Sequence, residues 1–532
     1  MPTDCIPYKD TSYFSDFICN YISQKSDLKG LYHRFPLLEN FKAQLKEKSA
    51  HKLTNSNRAV LVNTLLKQYA LVDTSEFTLN NIELLASDHT FTITTGHQLN
   101  LFTGPLYFLH KIISTINLTK QLKDKFPEYN FIPVYWMATE DHDFDEINYF
   151  NFRGKKIQWN SDQSGAVGHF NTEGLEDVLA ILSSEFGLGK HADQLKFWFK
   201  EAYLNHNNLA DATRYLADQF FKEYGLVVVD ADDKDLKTLF VPQMEKELLE
   251  QTAFHNVSET NKNLEALELK IQVNPRNINL FYIDQGLRER IVFEDENYSV
   301  LNTEITWSKP ELIDHLRQFP ERFSPNVIMR PLYQEVILPN LCYIGGSGEM
   351  IYWLQLKSNF EAQDVTFPML LLRNSALIKT KKQSEKQQKL EILDLDLFLD
   401  RNSFINKRVR AISNIDIDFK DQIKHLEDQF KDLHELAELT DKSFIGAVKA
   451  QEVKQLKGLK NLEKRLLKAQ KRKLKDHIER STDLKDELFP NGSLQERNTN
   501  FSELYLEFGD DLITGLMASL DPLNIQFSVI TL

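Results

Sequence analysis

Cysteine is scarce in this chain: Cys5, Cys19 and Cys342 are the three among 532 residues. An odd, unpatterned set excludes a disulfide framework and fits a reducing compartment. No Cys-x-x-Cys or His-rich cluster occurs, so zinc is not the expected cofactor. No apolar run approaches the ~18 residues of a membrane span. The opening MPTDCIPYKD lacks the basic start and apolar stretch of a signal peptide. Positive charge is not in excess, with 63 Lys and Arg against 77 Asp and Glu, a net charge of −14. Such a surface repels phosphate backbones and excludes general nucleic-acid binding. The expectation is a cytoplasmic protein with neither nucleic-acid nor membrane partners.

Familiar catalytic signatures are missing too. There is no Gly-x-x-x-x-Gly-Lys-Ser/Thr, no His-Glu-x-x-His and no Gly-x-Ser-x-Gly. Thr94-Thr95-Gly96-His97 stands where class I nucleotidyltransferases carry His-x-Gly-His, with Thr94 in place of the first histidine. No Lys-Met-Ser-Lys loop is recognisable, although Arg373-Asn374-Ser375 occupies a comparable place.

What is present is an ordinary globular balance, 42% hydrophobic and 26% charged residues. The length implies at least two domains. Residues 1–85 read as helices. Strand-like runs follow at Phe91–Thr95, Phe131–Ala138, Leu226–Val229, Leu338–Ile344 and Phe367–Leu372. Helical patterns separate most of them, one opening at Gly104-Pro105 with Leu106, Leu109, Ile113 and Ile116 on one face. This alternation predicts an α/β fold with an open, largely parallel sheet of Rossmann type and connecting insertions. One insertion reads as an antiparallel hairpin, Asn279–Asp284 and Glu289–Glu294 about Gln285-Gly286. From 376 the chain turns helical and charged. Phe419, Ile423, Leu426, Phe430, Leu433 and Ala437 form an a/d seam. After a turn at 440–443, Val453, Leu456, Leu459, Leu462, Leu466, Ala469, Leu474 and Ile478 mark a second helix. The division is a core over 1–375, an antiparallel coiled-coil arm over 376–500, and a segment over 501–532 that returns to the body.

Ligands in open α/β sheets bind beyond the carboxyl ends of the strands, so the strand ends nominate the site. They carry Gly96-His97-Gln98 with Thr103-Gly104, then Glu140-Asp141-His142-Asp143, and then Gly345-Gly346-Ser347-Gly348-Glu349 and Arg373. The glycines let a backbone approach a ligand, and Ser347 opens a helix whose N–H groups suit an anion. His97 and His142 exchange protons near neutral pH. The carboxylates about His142 hold an ammonium group or collect Mg²⁺. Arg330, in Met329-Arg330-Pro331-Leu332-Tyr333-Gln334-Glu335, forks onto a carboxylate or phosphate, or closes a structural pair with Glu335. Glu140, Asp141, His142, Asp143 and His97 are the catalytic candidates. Gly96, Gln98, Thr103, Gly104, Arg330, Tyr333, Gln334, Gly345, Gly346, Ser347, Gly348, Glu349 and Arg373 are the binding candidates.

Three strings carry a resemblance: TTGHQLNLFTGPLYFLHKIIS (94–114), PVYWMATEDHDFDEIN (133–148) and SPNVIMRPLYQEVILPNLCYIGGSGEMIYWLQLK (324–357). In order, and over essentially the whole chain, they resemble the BshC family, the cysteine-adding enzymes of bacillithiol biosynthesis. His97 and Ser347 depart from the Gln and Pro expected there. The resemblance implies a Rossmann-type core and a helical coiled-coil domain that supports a homodimer. It implies a ligase joining the carboxyl of L-cysteine to the amine of glucosaminyl-malate, giving bacillithiol. An acyl-adenylate made from ATP with Mg²⁺ is the natural activation for such a core, with acyl-phosphate chemistry or help from a partner open beside it. Acidic residues 140–143 suit the amines, Arg330 suits a malate carboxylate, and His97 or His142 is placed to take the amine proton. The alternatives are another nucleotide-dependent amide-forming enzyme on the same core, or a non-catalytic ligand-binding scaffold.

Overall fold

The computed structural model describes residues 4–51, 53–70 and 72–532. Met1–Thr3, where the missing signal peptide was argued, lie outside the described residues. Two compact units result, one built from 1–378 with 494–532 and the other from 379–493. Residues 494–500 thus sit with the first unit.

Seven strands and three helices of the first unit position the site. In chain order they are β1 (Thr90–His97), α1 (Tyr107–Lys125), β2 (Asn130–Met137), β3 (Val227–Asp230), β4 (Leu280–Asp284), β5 (Leu287–Glu294), α2 (Arg330–Ile337), β6 (Asn340–Gly345), α3 (Ser347–Leu354) and β7 (Met369–Leu372). The central sheet runs β7-β6-β1-β2-β3, and every pairing in it is parallel. The chain steps outward from β1 to β2 and β3, then returns to the other side of β1 for β6 and β7. The order therefore reverses between β1 and β6, and a crevice opens where their carboxyl ends diverge.

β1 is buried along its whole length, which its sequence TFTITTGH accommodates by using both faces. Phe91 and Ile93 join Leu118, Leu122, Phe131, Leu341, Ile344 and Leu371 in the core, each contributing about 1.5–3 kcal/mol through burial. Thr92 and Thr94 alternate to the opposite face. Their hydroxyls donate to Asn340 Oδ1 at 3.3 and 2.9 Å, so the polar groups are buried with partners.

The predicted hairpin exists, with Asp284 opposite Leu287 and Gly286 at φ +68° in the turn. It belongs to a larger antiparallel sheet, ordered Thr306–Trp307, Asn297–Val300, β5, β4, Phe323–Pro325. Those three outer strands are short, two to four residues, which explains why their period-2 signal escapes sequence reading.

The segment after 494 is bound into the core by buried polar groups. Glu496 Oε1 accepts from Arg373 Nη2 at 2.8 Å and from Ser375 Oγ at 3.1 Å. Its Oε2 accepts from the Ala376 amide at 3.1 Å and meets His110 Nδ1 at 3.1 Å. Asn500 Nδ2 donates to the carbonyls of Phe102 and Gly104 at 2.8 and 2.6 Å. Strand Phe527–Thr531 then pairs antiparallel with Asp4–Ile6, Cys5 opposite Ser528.

In the second unit, α4 (Lys420–Glu438) and α5 (Lys442–Lys473) form a hairpin whose turn is capped by Asp441, accepting from the Phe444 amide at 2.9 Å. Phe430, Ala437 and Val448 are buried with Leu426 against them. The seam differs in part from the expectation. Leu433 is 41% exposed, Val453 59% and Leu462 52%. The inner row of α5 instead passes through Val448, Glu452, Leu456 and Leu459, with Glu452 taken up by His434 Nε2 at 2.9 Å. A partly exposed polar pair thus bridges the two helices beside the apolar positions.

Candidate active site

A cleft of about 800 Å³ opens at the carboxyl ends of β1, β2 and β6. Of the expected residues, Gly96, His97, Gln98, Glu140, Asp141, His142, Arg330 and Glu349 line it. The antiparallel sheet and the loop before it form the opposite wall, the loop contributing Arg276 and the sheet Phe281, Arg288 and Arg290. A smaller cleft of about 380 Å³ lies beyond Gln98 and Tyr107, which line both.

The floor is charged and tightly partnered. Lys111, in the buried first half of α1, donates to Gly96 O at 2.6 Å and to Glu349 Oε1 at 2.5 Å. Burial lowers its pKa, opposed by Glu349. Tyr343 OH donates to Glu349 Oε2 at 2.8 Å. Gly96 sits beneath this group, and a Cβ there would lie 3.0 Å from the Tyr343 hydroxyl and 3.9 Å from Arg330 Nη1. Arg330 faces the rings of Trp136, Tyr343 and Trp353 at 5.8, 5.7 and 5.8 Å. It donates to Gln334 Oε1 at 3.1 Å. Glu335 is not its partner, being paired with Lys48 at 3.3 Å and hydrogen-bonded by Asn340 Nδ2 at 2.7 Å. Gln334 thus orients Arg330 from below the cleft rather than touching it.

At the end of β2, Glu140 is buried against Lys237 Nζ at 2.7 Å, and Lys237 also meets Asp232 at 2.6 Å. Burial raises the Glu140 pKa, and Lys237 pulls it back only in part. His169 Nε2 closes the row on Asp232 at 2.7 Å; that contact raises its pKa. Asp141 accepts from the His142 amide at 2.8 Å and from Gln98 Nε2 at 3.0 Å. Burial would raise its pKa, but hydrogen bonding with the His142 side chain, Gln98 and the His142 amide holds it well below the usual carboxylate range.

The two histidines differ. His97 is buried between Tyr107 and Phe108. Burial, with Lys111 nearby, pushes its pKa well below the usual imidazole range, a hydrogen bond to the Thr103 backbone opposing. His142 is exposed on the wall, and Arg288 Nη1 lies 2.7 Å from its Nδ1. A guanidinium has only donors, so Nδ1 is the acceptor and the ring proton belongs to Nε2. His142 then presents a donor from Nε2.

The remaining candidates are not in the cleft lining. Asp143 caps helix Phe144–Ile147, accepting from the Glu146 amide at 3.3 Å. Thr103 and Gly104 form the turn before α1, where Gly104 has φ +63° and a Cβ would fall 2.6 Å from Asn100 Cβ. Tyr333 donates to Ala231 O at 2.8 Å behind the sheet, and Arg373 is consumed by Glu496. Gly345 and Gly346 let the Glu349 carboxyl sit against the end of β6, with contacts of 3.2 and 3.7 Å to a would-be Cβ. Ser347 and Gly348 begin α3, and a Cβ on Gly348 would meet nothing within 4 Å. Gly96, Gly104 and Gly345 are thus restrictive positions, and Gly348 is open. Gly348→Ala is expected to change turnover and stability by less than about twofold and ~1 kcal/mol. Gly96→Ala should lower turnover about tenfold or more with little loss of stability, because its methyl crowds the Tyr343 hydroxyl that holds Glu349. Steady-state rates and urea melts of both variants decide this.

Sequence reasoning missed Lys111, Lys237 and Arg288. A lysine inside FLHKIISTI was a signal, since a charge in a buried helical run needs a dedicated partner. Arg288 and Arg290, two apart on a strand, share one face.

Comparison with known proteins meets this geometry. Residues 1–374 match the family model "Bacillithiol biosynthesis BshC, N-terminal Rossmann-like domain", and 376–532 match "Bacillithiol biosynthesis BshC, C-terminal coiled-coil domain". The chain belongs to the BshC family. A BshC relative from Flavobacterium johnsoniae is 58% identical over 532 residues, covering 100% of both chains. One from Christiangramia forsetii is 57% identical over 535 residues, covering 100% of this chain and 99% of its own. One from Cytophaga hutchinsonii is 40% identical over 525 residues, 98% of each. All three are named "Putative cysteine ligase BshC". The BshC assignment agrees with the parallel sheet and helical hairpin described above. Among the described residues no helix is long and apolar enough to cross a membrane, and no group of three or more His, Cys, Asp and Glu is placed to hold a metal ion.

Proposed function

We propose that the cleft joins the carboxyl of L-cysteine to the amine of glucosaminyl-malate, forming the amide of bacillithiol. The observation that carries this is the pairing of opposite charges in one cleft. Glu140 and Glu349 are the anionic groups for two amines, and Arg276, Arg288, Arg290 and Arg330 the cationic groups for carboxylates. Glu140 is the general base for the attacking amine, because a carboxyl raised by burial is a stronger base than an exposed one. His142 donates from Nε2 and orients the acceptor.

An amide does not form from a free carboxylate in water without activation. ATP supplies it, by turning the cysteine carboxyl into an acyl phosphate or adenylate. Arg276 and Arg290, exposed at the cleft lip, would meet the phosphates, and Mg²⁺ would arrive bound to them rather than in a cage of protein ligands. Purified protein with L-cysteine, glucosaminyl-malate and ATP·Mg²⁺ should yield bacillithiol by mass spectrometry, with ADP or AMP released in equal amount. If no nucleoside triphosphate supports product, and cells lacking the protein still make bacillithiol, the reading fails.

The protein acts as a homodimer through the arm. Leu439, 82% exposed, lies with exposed Leu436, Phe444, Ile445 and Val453 on the hairpin, more apolar surface than a solvated helix pair leaves uncovered. Light scattering on Leu439→Glu/Val453→Glu should show half the wild-type mass. A monomeric wild type refutes the proposal.

A further inference from the structure

Two separate cationic places line this cleft, and they differ in what surrounds them. At the lip, Arg276 and Arg290 are exposed and make no ion pair among the described residues, while Arg288 stacks on Phe281 at 4.0 Å. The neighbouring Glu289 is occupied by Asn302 Nδ2 at 3.2 Å. The lip is a net positive surface. On the floor, Arg330 is different. Its hydrogen bonds go to the neutral acceptors Gln334 Oε1 and Tyr352 OH, the latter at a long 3.5 Å. Among the described residues no carboxylate lies within ion-pair distance of it. A guanidinium enclosed by three rings without a counter-ion is prepared for an anion.

Beside it stands Glu349, with 26% of its side chain exposed. Two of its acceptor directions are taken by Lys111 and Tyr343, which leaves others toward the cleft. Gly96 lies beside the two charges, and its lack of a side chain makes room for the Tyr343 hydroxyl, 3.0 Å from where a Cβ would stand. One cation and one anion thus line the cleft together at the end of β1.

We propose that Arg330 and Glu349 form a zwitterion subsite for an α-amino acid, Arg330 taking the carboxylate and Glu349 the ammonium over Gly96. This rests on the ligase reading and assigns its substrates to places. The amino acid lies on the floor, and the dicarboxylate and phosphates lie at the arginine lip. A dicarboxylate on the floor would set its second carboxylate against Glu349, whereas a zwitterion matches both charges. The assignment moves Arg330 away from the malate role that its sequence context first suggested.

Ligand-side and protein-side measurements test it together. Wild type should bind L-cysteine at least about thirtyfold more tightly than cysteamine, which lacks the carboxylate, or 3-mercaptopropionate, which lacks the ammonium. Calorimetry reads all three. Arg330→Gln should erase the preference over cysteamine and keep that over 3-mercaptopropionate, and Glu349→Gln should do the reverse. In turnover, both variants should raise KM for cysteine about thirtyfold, with KM for glucosaminyl-malate within about threefold. Arg290→Ala should show the opposite split. Wild type that binds cysteamine as tightly as cysteine overturns the subsite without requiring any variant to fold. So does wild-type cysteine affinity in both folded variants. An enzyme that makes the amide yet gives either result fails only this inference, whereas one that makes no amide and binds no cysteine fails the ligase reading as well.

Discussion

Replacing Glu496 by Gln is expected to lower the unfolding free energy by about 3–5 kcal/mol, the usual cost of removing one partner from a buried ion pair. Glu496 is completely buried, and all four of its observed contacts place a donor against a carboxylate oxygen. A glutamine keeps the shape but turns one oxygen into an NH₂ that faces another donor. Arg373 then remains buried without its counter-charge. The pH dependence has a fixed sign. Burial alone would raise the Glu496 pKa, but Arg373 and His110 hold it well below the usual carboxylate range. A depressed carboxyl stabilises the fold above its unfolded pKa of about 4.3 and loses that contribution as pH falls through the folded value. Urea titrations from pH 7 down to pH 3 should therefore show the variant and wild type converging at the acid end. A difference below ~1 kcal/mol at pH 7 would mean the carboxylate only fills space.

Glu140→Gln should reduce ligation turnover by about a hundredfold or more, the scale for loss of a general base. The base must be ionised to work, and burial raises its pKa. Activity should accordingly fall, as pH drops, at values above the ordinary carboxylate range, and the residual rate of Glu140→Gln should lack that limb. Lys237 keeps its contact with Asp232 in the variant, so folding should survive, as a melting curve will show. His142→Asn, which removes a donor rather than a base, should cost less, about tenfold. If the two variants exchange places, with His142→Asn the more damaged, the proton goes to the imidazole after all.

The parallel sheet was legible because its strands are buried on both faces. Runs such as Phe131–Ala138 are apolar almost throughout, and the break at Gly96 or Gly345 marks where each strand ends. Strand ends nominate a site through topology alone, which is why Gly96, His97, Glu140 and Glu349 were reachable. Arg373 ends a strand as well, but its partner Glu496 lies more than a hundred residues away, and no local pattern reveals such a pair. The hydrogen-bonding of His142 was hidden for a related reason. Which imidazole nitrogen is free depends on Arg288, brought over the sheet by an insertion whose register cannot be read from β2. The arm shows the limit of periodicity. A heptad fit that allows only apolar seam residues places Val453 and Leu462 inside, whereas both are exposed and a partly exposed His434–Glu452 pair bridges the helices.

The pairing of Asp4–Ile6 with Phe527–Thr531 bears on how the protein is made. Ribosomes add about 5–20 residues per second, so the second strand emerges roughly half a minute to two minutes after the first. Through that interval Asp4–Ile6 has no partner edge, and Arg373 waits buried or solvated without Glu496. The central sheet can assemble earlier, since β7 is complete well before the end. The nascent chain therefore passes the last part of its synthesis with the central sheet complete and the separate strand Asp4–Ile6 unpaired, a state open to chaperone contact. A translational pause between Ser375 and Glu496 would lengthen that exposure.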